Sequence, residues 1–302
     1  MKTIIDNFFF KSNEKFLNRN NIIIVIGVFC IINLLIISPD IYEIFASDGL
    51  VDASINNSFL TFYQPRLAWF TNPLMHIGIP EKAVILAILA FYLVSLMSVL
   101  SKYKPVLFSI IAWFIHITLV NSSYLFSYGA DYFISFLLFF NIFLNISTVI
   151  QEDKGNALYS FIVRFMQLHL CIVYFFAGFG KILGTDWLDG NAMWYVLNSF
   201  MPESVDTMLN FIEYPIVFQV LSWAVLLELV YPLLIFMPKV RKWFLIKIFF
   251  LHIGIAIIMQ FYTFGMIMIL LNIVAFGHYI NWKSIAKMFR INGLLLKEKK
   301  LA

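Results

Sequence analysis

The sequence predicts an all-α integral membrane protein with about eight transmembrane helices. Of its 302 residues, 62% are hydrophobic and only 13% are charged, and the mean hydropathy is +0.87. A soluble domain of this length has no core large enough to hide so much apolar surface. Apolar runs of membrane-spanning length and a strong sorting of basic residues between loops support the same fold class.

Eight apolar stretches are close to the ~20 residues that cross ~30 Å of hydrocarbon. They are Asn21–Ser38, Ala83–Ser101, Pro105–Val120, Tyr132–Ile150, Phe161–Leu183, Tyr214–Met237, Trp243–Met259 and Phe264–Ile280. The last two are separated only by Gln260–Thr263, which predicts a tight helical hairpin.

The basic residues predict the orientation of these spans. One side would carry Lys2, Lys11, Lys15, Arg19, Lys102, Lys104, Lys154, Lys239, Arg241, Lys242, Lys283, Lys287, Arg290, Lys297, Lys299 and Lys300. The other side would carry only Arg66 and Lys82. Because cytoplasmic loops are enriched in Lys and Arg, both termini are predicted to be cytoplasmic.

Two predicted outer loops, Pro39–Lys82 and Gly184–Glu213, are longer than the inner turns. Each mixes aromatic residues with Asp, Pro and Asn, which predicts partly helical segments at the outer interface. No stretch has the composition of a separate soluble domain. We therefore expect one transmembrane domain over residues 1–302.

Four ionisable residues on four different spans are predicted near the membrane midplane. They are His116, His169, Glu228 and His252. They could form a proton relay or contact a quinone, or each could simply tie one helix to another. Metal ligation has little support, because no HxxxH or ExxH spacing occurs.

Lys181 lies near the predicted outer end of the fifth span, on one helical face with Gln167, Tyr174 and Gly178. It could be an anchor whose ammonium extends to the interface. The following "GTDWLDG", Gly184–Gly190, favours a more specific role, because an anchor requires no tight polar turn. A desolvated lysine could act as a neutral base, whereas a neighbouring carboxylate would keep it charged.

The sequence leaves the carboxylate beside this lysine undecided among Asp131, Asp186 and Asp189. Asp131 and Asn121 are predicted at about the same outer level as Lys181, from a rise of ~1.5 Å per residue.

At these residues the chain resembles the HTTM (horizontally transferred transmembrane) family, which includes vitamin K-dependent gamma-carboxylase. The similar segments are "QLHLCIVYFFAGFGKILGTDWLDGNAMWY", "NSSYLFSYGADYFISFLLFFNIF", "WAVLLELVYPLLIF" and "LHIGIAIIMQFYTFGMIMILLNIVAF". They span about residues 121–280, and earlier residues agree only in topology.

The resemblance implies that Lys181 is a base near the exoplasmic face that deprotonates a reduced quinone, a vitamin K-like hydroquinone. Asn121 and Asp131 would assist it. The substrate would be bound by Tyr124, Tyr174, Gly178, Asp186, Trp187 and Asp189, with the aromatic residues forming a wall for a flat ring.

The length and topology are also similar to the sporulation-delaying protein B type, a small bacterial branch that matures a secreted peptide. Two functions therefore stay open. One is an enzyme acting on a quinol-like lipid or a secreted peptide. The other is a non-enzymatic partner in the maturation, export or immunity of such a peptide. Either would lie in a bacterial cytoplasmic membrane. Nucleic-acid binding is not expected, because topology explains the basic residues.

Overall fold

The computed structural model describes residues 2–11, 16–200 and 216–280, and within these ranges the chain is helical and contains no β-strand. The helices are α1 (Lys2–Phe10), α2 (Arg19–Ile37), α3 (Ile41–Phe45), α4 (Ala53–Ser58), α5 (Ala68–His76), α6 (Glu81–Leu100), α7 (Pro105–Ser122), α8 (Gly129–Val149), α9 (Glu152–Ile182), α10 (Thr185–Leu188), α11 (Ala192–Phe200), α12 (Ile216–Ser222), α13 (Val225–Leu229), α14 (Tyr231–Leu234), α15 (Arg241–Ile258) and α16 (Tyr262–Phe276). Short 3-10 turns cover Ser38–Asp40 and Gly277–Tyr279.

Six stretches of helix in the described part are long and apolar enough to cross a membrane. They are Arg19–Phe45, Glu81–Leu100, Pro105–Ser122, Gly129–Val149, Glu152–Ile182 and Tyr262–Tyr279. Each overlaps one predicted span. The all-α fold class is confirmed, and these helices indicate a multi-pass membrane protein.

The predicted seventh span corresponds to α15, an 18-residue helix that includes Arg241, Lys242 and Lys247. Because of these three charges, α15 is not among the six helices that are apolar enough to cross a membrane. The hairpin predicted after it is present, because Gln260 has a φ of 57° and α16 starts two residues later. Gly265 permits the close return, since a Cβ there would lie 2.7 Å from the Cβ of Ala256.

The predicted sixth span, Tyr214–Met237, is not one continuous helix. Its described part consists of the short helices α12, α13 and α14. Pro232 in the first turn of α14 accounts for the second break, because proline has no N–H to donate to the preceding turn. Tyr214 lies outside the described residues, as do the predicted inner basic residues Lys15 and Lys283–Lys300 and the end of the outer loop from residue 201.

The chain forms two compact units. The first contains Met1–Met166 and His252–Leu271. In it α7 packs against α6 and α8, and α2 packs against the same two helices. Arg19 at the start of α2 donates a hydrogen bond of 2.9 Å to the carbonyl of Ser147 near the end of α8. The predicted outer loop in this unit is partly helical, as expected, with α3, α4 and α5.

The second unit contains Gln167–Leu251 and Asn272–Ala302. In it the segment after α9 turns back and packs on α12. The hydroxyl of Ser222, at the end of α12, donates to the carbonyl of Gly190 and accepts from the N–H of Met193, at 3.0 and 3.1 Å. This arrangement holds α10 and α11 beside α12.

Candidate functional site

Lys181, at the end of α9, forms an ion pair with Glu228 on α13. Its Nζ lies 2.5 Å from Oε2 of the carboxylate. The lysine side chain is 32% exposed, whereas the glutamate side chain is 7% exposed. The ammonium therefore reaches the surface of its unit while its partner is held inside.

A glycine on α9 brings the two helices close enough for this pair. A Cβ on Gly178 would lie 2.6 Å from the backbone N of Leu229, the residue after Glu228. Gly178 and Lys181 are three residues apart and share one helical face. The same face of α9 thus provides both the close backbone contact and the ammonium.

The contact between Lys181 and Glu228 disagrees with the membrane depths that were predicted by counting residues along the sequence. Counting by helical rise places Lys181 near the outer surface and Glu228 near the midplane. A bond of 2.5 Å puts the two groups at one level. The count assumes a continuous helix over Tyr214–Met237, and it fails because that stretch is broken into short helices.

The "GTDWLDG" turn contributes an aromatic ring to the site. The Nζ of Lys181 lies 5.3 Å from the centre of the Trp187 ring, within the range of a cation–π interaction. The end of the turn packs closely against Gln219 on α12. Gly190 has a φ of 82°, and a Cβ there would lie 2.4 Å from Cγ of Gln219. Asp186 and Asp189 are exposed, and the carboxylate bonded to the lysine is that of Glu228.

Tyr174 lies in the interior of the second unit. It is 1% exposed, and its ring stacks on that of Tyr231 with the centroids 4.1 Å apart. Asn272 links both phenols: it accepts from the hydroxyl of Tyr231 and donates to the hydroxyl of Tyr174, each at 2.7 Å. Gln167, on the predicted polar face of α9, donates to the carbonyl of Ala275 at 2.7 Å.

The other residues predicted to assist Lys181 belong to the first unit, where each has a local partner. Asn121 donates to the carbonyl of Pro65 at 2.9 Å. Asp131 accepts the backbone N–H of Tyr128 at 3.0 Å, which caps α8. Tyr124 stacks on Phe59 with a centroid separation of 5.2 Å.

The predicted midplane residues are divided between the units. In the first unit, His116 lies with Nε2 3.2 Å from the backbone carbonyl of Asp131, and His252 packs edge-on against Phe264. In the second unit, His169 is half-buried on α9 and Glu228 pairs with Lys181. Within the described residues no group of three or more His, Cys, Asp or Glu side chains could hold a metal ion.

Sequence reasoning missed three polar residues with clear roles in the structure. Asn272 hydrogen-bonds both Tyr231 and Tyr174, and Tyr231 stacks on Tyr174. In the sequence, polar residues in the Tyr-Pro and Leu-Asn pairs inside apolar runs could have indicated them. Arg164 lies within a predicted span, and its guanidinium stacks over Phe8 and Phe16 at 4.8 and 5.1 Å. A charge inside an apolar run is the signal that could have found it.

No family model, curated protein or solved structure matches the chain.

Proposed function

We propose that the chain is a membrane-embedded enzyme of the HTTM type, in which the Lys181–Glu228 pair removes a proton from a quinol-like lipid or a secreted peptide. The observation that carries the proposal is the unequal burial of the pair. An ammonium that only anchors a helix needs no buried carboxylate at hydrogen-bond distance.

The carboxylate of Glu228 gives Lys181 a way to act as a base although the lysine is charged. A lysine beside a carboxylate is held in its charged form, and an ammonium has no lone pair to accept a proton. In the proposed step, Lys181 gives one proton to Oε2 of Glu228 and takes the proton of the substrate hydroxyl in its place. The substrate becomes an anion, Glu228 becomes a neutral carboxylic acid, and Lys181 remains an ammonium. The new anion then lies against a positive charge, which stabilises it.

The substrate would approach from the exposed side of Lys181. Trp187 provides a flat apolar surface at the same place, and a quinol ring packs well on such a surface. Tyr174 is buried and stacked on Tyr231, so it is not part of this exposed surface.

We further propose eight spans, with both termini in the cytoplasm of a bacterial cell and the Lys181 end of α9 at the outer face. The distribution of Lys and Arg supports this orientation. The broken segment α12–α14 and the charged helix α15 would be the remaining two spans, since irregular backbone is tolerated in a membrane where protein or water covers it.

The test uses the protein in lipid nanodiscs with vitamin K hydroquinone as the probe. Absorbance spectra across a pH series report how much of the quinol is ionised. Wild type is expected to shift ionisation to lower pH. Lys181→Arg keeps the ion pair but cannot release a proton, so it should abolish the shift as fully as Lys181→Ala and Glu228→Gln. Lys82→Arg is the matched control and should behave as wild type.

An unchanged shift in Lys181→Arg would contradict the base role. A wild type that leaves the quinol spectra unchanged, together with photo-crosslinking of a secreted peptide at the Trp187 turn, would favour the non-enzymatic partner.

A further inference from the structure

A partly open cavity of about 150 Å³, with both polar and apolar lining residues, lies in the first unit. It is lined by residues of α2, α3, α6, α7, the segment before α8 and the first turns of α8 and α16. It is distinct from Lys181 and Glu228, since all of its lining residues belong to the first unit. A cavity of this volume holds a molecule the size of benzene, about six heavy atoms.

Most of the polar groups that line the cavity present lone pairs. The hydroxyl of Ser123 donates to the carbonyl of Leu119 at 3.0 Å, and that of Ser127 donates to the carbonyl of Val120 at 2.9 Å. A hydroxyl has one proton, so these two oxygens are left as acceptors.

His116 adds another acceptor. Its Nε2 lies 3.2 Å from a backbone carbonyl, which can only accept, so Nε2 carries the proton. In the neutral ring Nδ1 is then an acceptor.

The cavity is also lined by a carboxylate that uses one of its two oxygens to accept a hydrogen bond. Asp131 lines the cavity, and its Oδ2 accepts the N–H of Tyr128. Its other oxygen is available to a ligand. None of the fifteen described residues that line the cavity is lysine or arginine.

The helix ends around the cavity carry both signs. α2 and α7 end beside it, with Asn33, Leu34 and Ile37 from the first and Leu119 and Val120 from the second. Helix C-termini carry partial negative charge and favour cations. The positive N-terminus of α8 is offset by Asp131, whereas that of α16 beside Thr263 is not, so the preference for a cation rests on the Asp131 carboxylate.

The rim of the cavity is ordered by hydrogen bonds. The hydroxyl of Thr263 donates to Oδ1 of Asn33 at 3.5 Å, and partial burial raises the pKa of Tyr128 above its ordinary value, so the phenol is neutral at physiological pH. Tyr92 also lines the cavity, with its ring centre 6.2 Å from that of His116, and it supplies an aromatic surface for a cation.

We propose that this cavity binds a primary ammonium group, carried either by a small free amine or by the ethanolamine headgroup of a lipid. An ammonium has three N–H donors and one positive charge, which match a carboxylate oxygen, hydroxyl lone pairs and an imidazole nitrogen. A short carbon chain fits the apolar part of the wall, formed by residues such as Phe45, Leu119 and Phe126.

The experiment has two arms. In the first, lipid-depleted protein in detergent is titrated with ethylammonium chloride, with binding measured by calorimetry and by the shift in thermal unfolding. Ethylammonium should bind. Sodium chloride, neutral propanol and tetraethylammonium, which has no N–H and nine heavy atoms, should not. In the second arm, nanodiscs of phosphatidylethanolamine are compared with nanodiscs of phosphatidylcholine.

Asp131→Asn removes the charge but keeps an oxygen that can accept the N–H of Tyr128. It should weaken ethylammonium binding by at least about tenfold, the loss expected for one charge-assisted hydrogen bond. Asp153→Asn, at the exposed first turn of α9, is the matched control and should bind as wild type.

Binding of ethylammonium in detergent identifies a free amine as the source. Stabilisation only in phosphatidylethanolamine, lost in Asp131→Asn, identifies the lipid. The proposal is overturned if neither arm shows binding, if sodium or tetraethylammonium acts equally, or if Asp131→Asn binds as well as wild type. The comparison of cations in wild type decides the question even if this variant does not fold.

Discussion

The ammonium of Lys181 and the carboxylate of Glu228 lie 2.5 Å apart, yet one partner is about a third exposed and the other is almost completely buried. The pair is therefore asymmetric. Removing the glutamate leaves a lysine that water can still reach, whereas removing the lysine leaves a buried carboxylate without its counter-ion.

The asymmetry predicts unequal effects of single substitutions. Lys181→Met should lower the free energy of unfolding by about 1–3 kcal/mol, because the buried carboxylate loses its partner. Glu228→Gln should cost less, and the double variant Lys181→Met/Glu228→Leu should recover part of the loss. Denaturant unfolding in mixed micelles measures all three. Additive losses in the double variant would show that the two side chains do not interact.

Gly178 is predicted to be essential for the pair. Gly178→Ala places a methyl group against the backbone of Leu229 and should destabilise the protein by about 1–3 kcal/mol. It should also make Lys181 more reactive toward an amine-specific reagent, because Glu228 is pushed away. Gly180→Ala is a matched control two residues later on α9, where nothing lies within 4 Å of the added Cβ. Equal behaviour of the two variants would refute the close contact.

The bonds between Tyr174, Asn272 and Tyr231 are predicted to hold the interior of the second unit. Asn272→Leu removes both buried bonds, so we expect a loss of about 1–3 kcal/mol in unfolding free energy. Tyr231→Phe removes one bond and should cost about half as much. Tyr195→Phe, on an exposed side chain, is the control. If Asn272→Leu leaves the free energy of unfolding unchanged, the bonds contribute nothing to stability.

The proposed orientation can be measured by cysteine labelling in intact cells. Ser199, an exposed residue of α11, should react as Ser199→Cys with an impermeant maleimide. Ser101→Cys, beside the basic turn Lys102–Lys104, should react only after the membrane is disrupted. The natural thiols Cys30 and Cys171 are buried and give a low background. The reverse labelling pattern would invert the topology and place Lys181 at the cytoplasmic side.

Sequence reasoning located the long helices well. The span predicted from Ala83 to Ser101 is α6, Glu81–Leu100, and that predicted from Pro105 to Val120 is α7, Pro105–Ser122. Apolar length is sufficient here, because a continuous helix satisfies its own backbone in lipid.

Apolar length could not predict that the stretch Tyr214–Met237 is divided into short helices. Only Pro232 marks a break, and the break at Trp223 and Ala224 carries no such residue. For the site, the Lys181 face of α9 was predictable from helical spacing. Its partner Glu228 was not, because the pairing depends on how short helices pack against Gly178.

The length of α9 has a consequence for how the protein sits in a bilayer. Its 31 residues extend about 46 Å, more than the ~30 Å of hydrocarbon. Tilt absorbs only part of this mismatch, so the end at Glu152 projects beyond the lipid tails. There α1 lies on it: the ring of Phe10 stacks on Phe161 at 5.6 Å, and Arg164 covers Phe8. The aromatic side chains of α1 therefore cover part of the stretch by which α9 exceeds the hydrocarbon thickness.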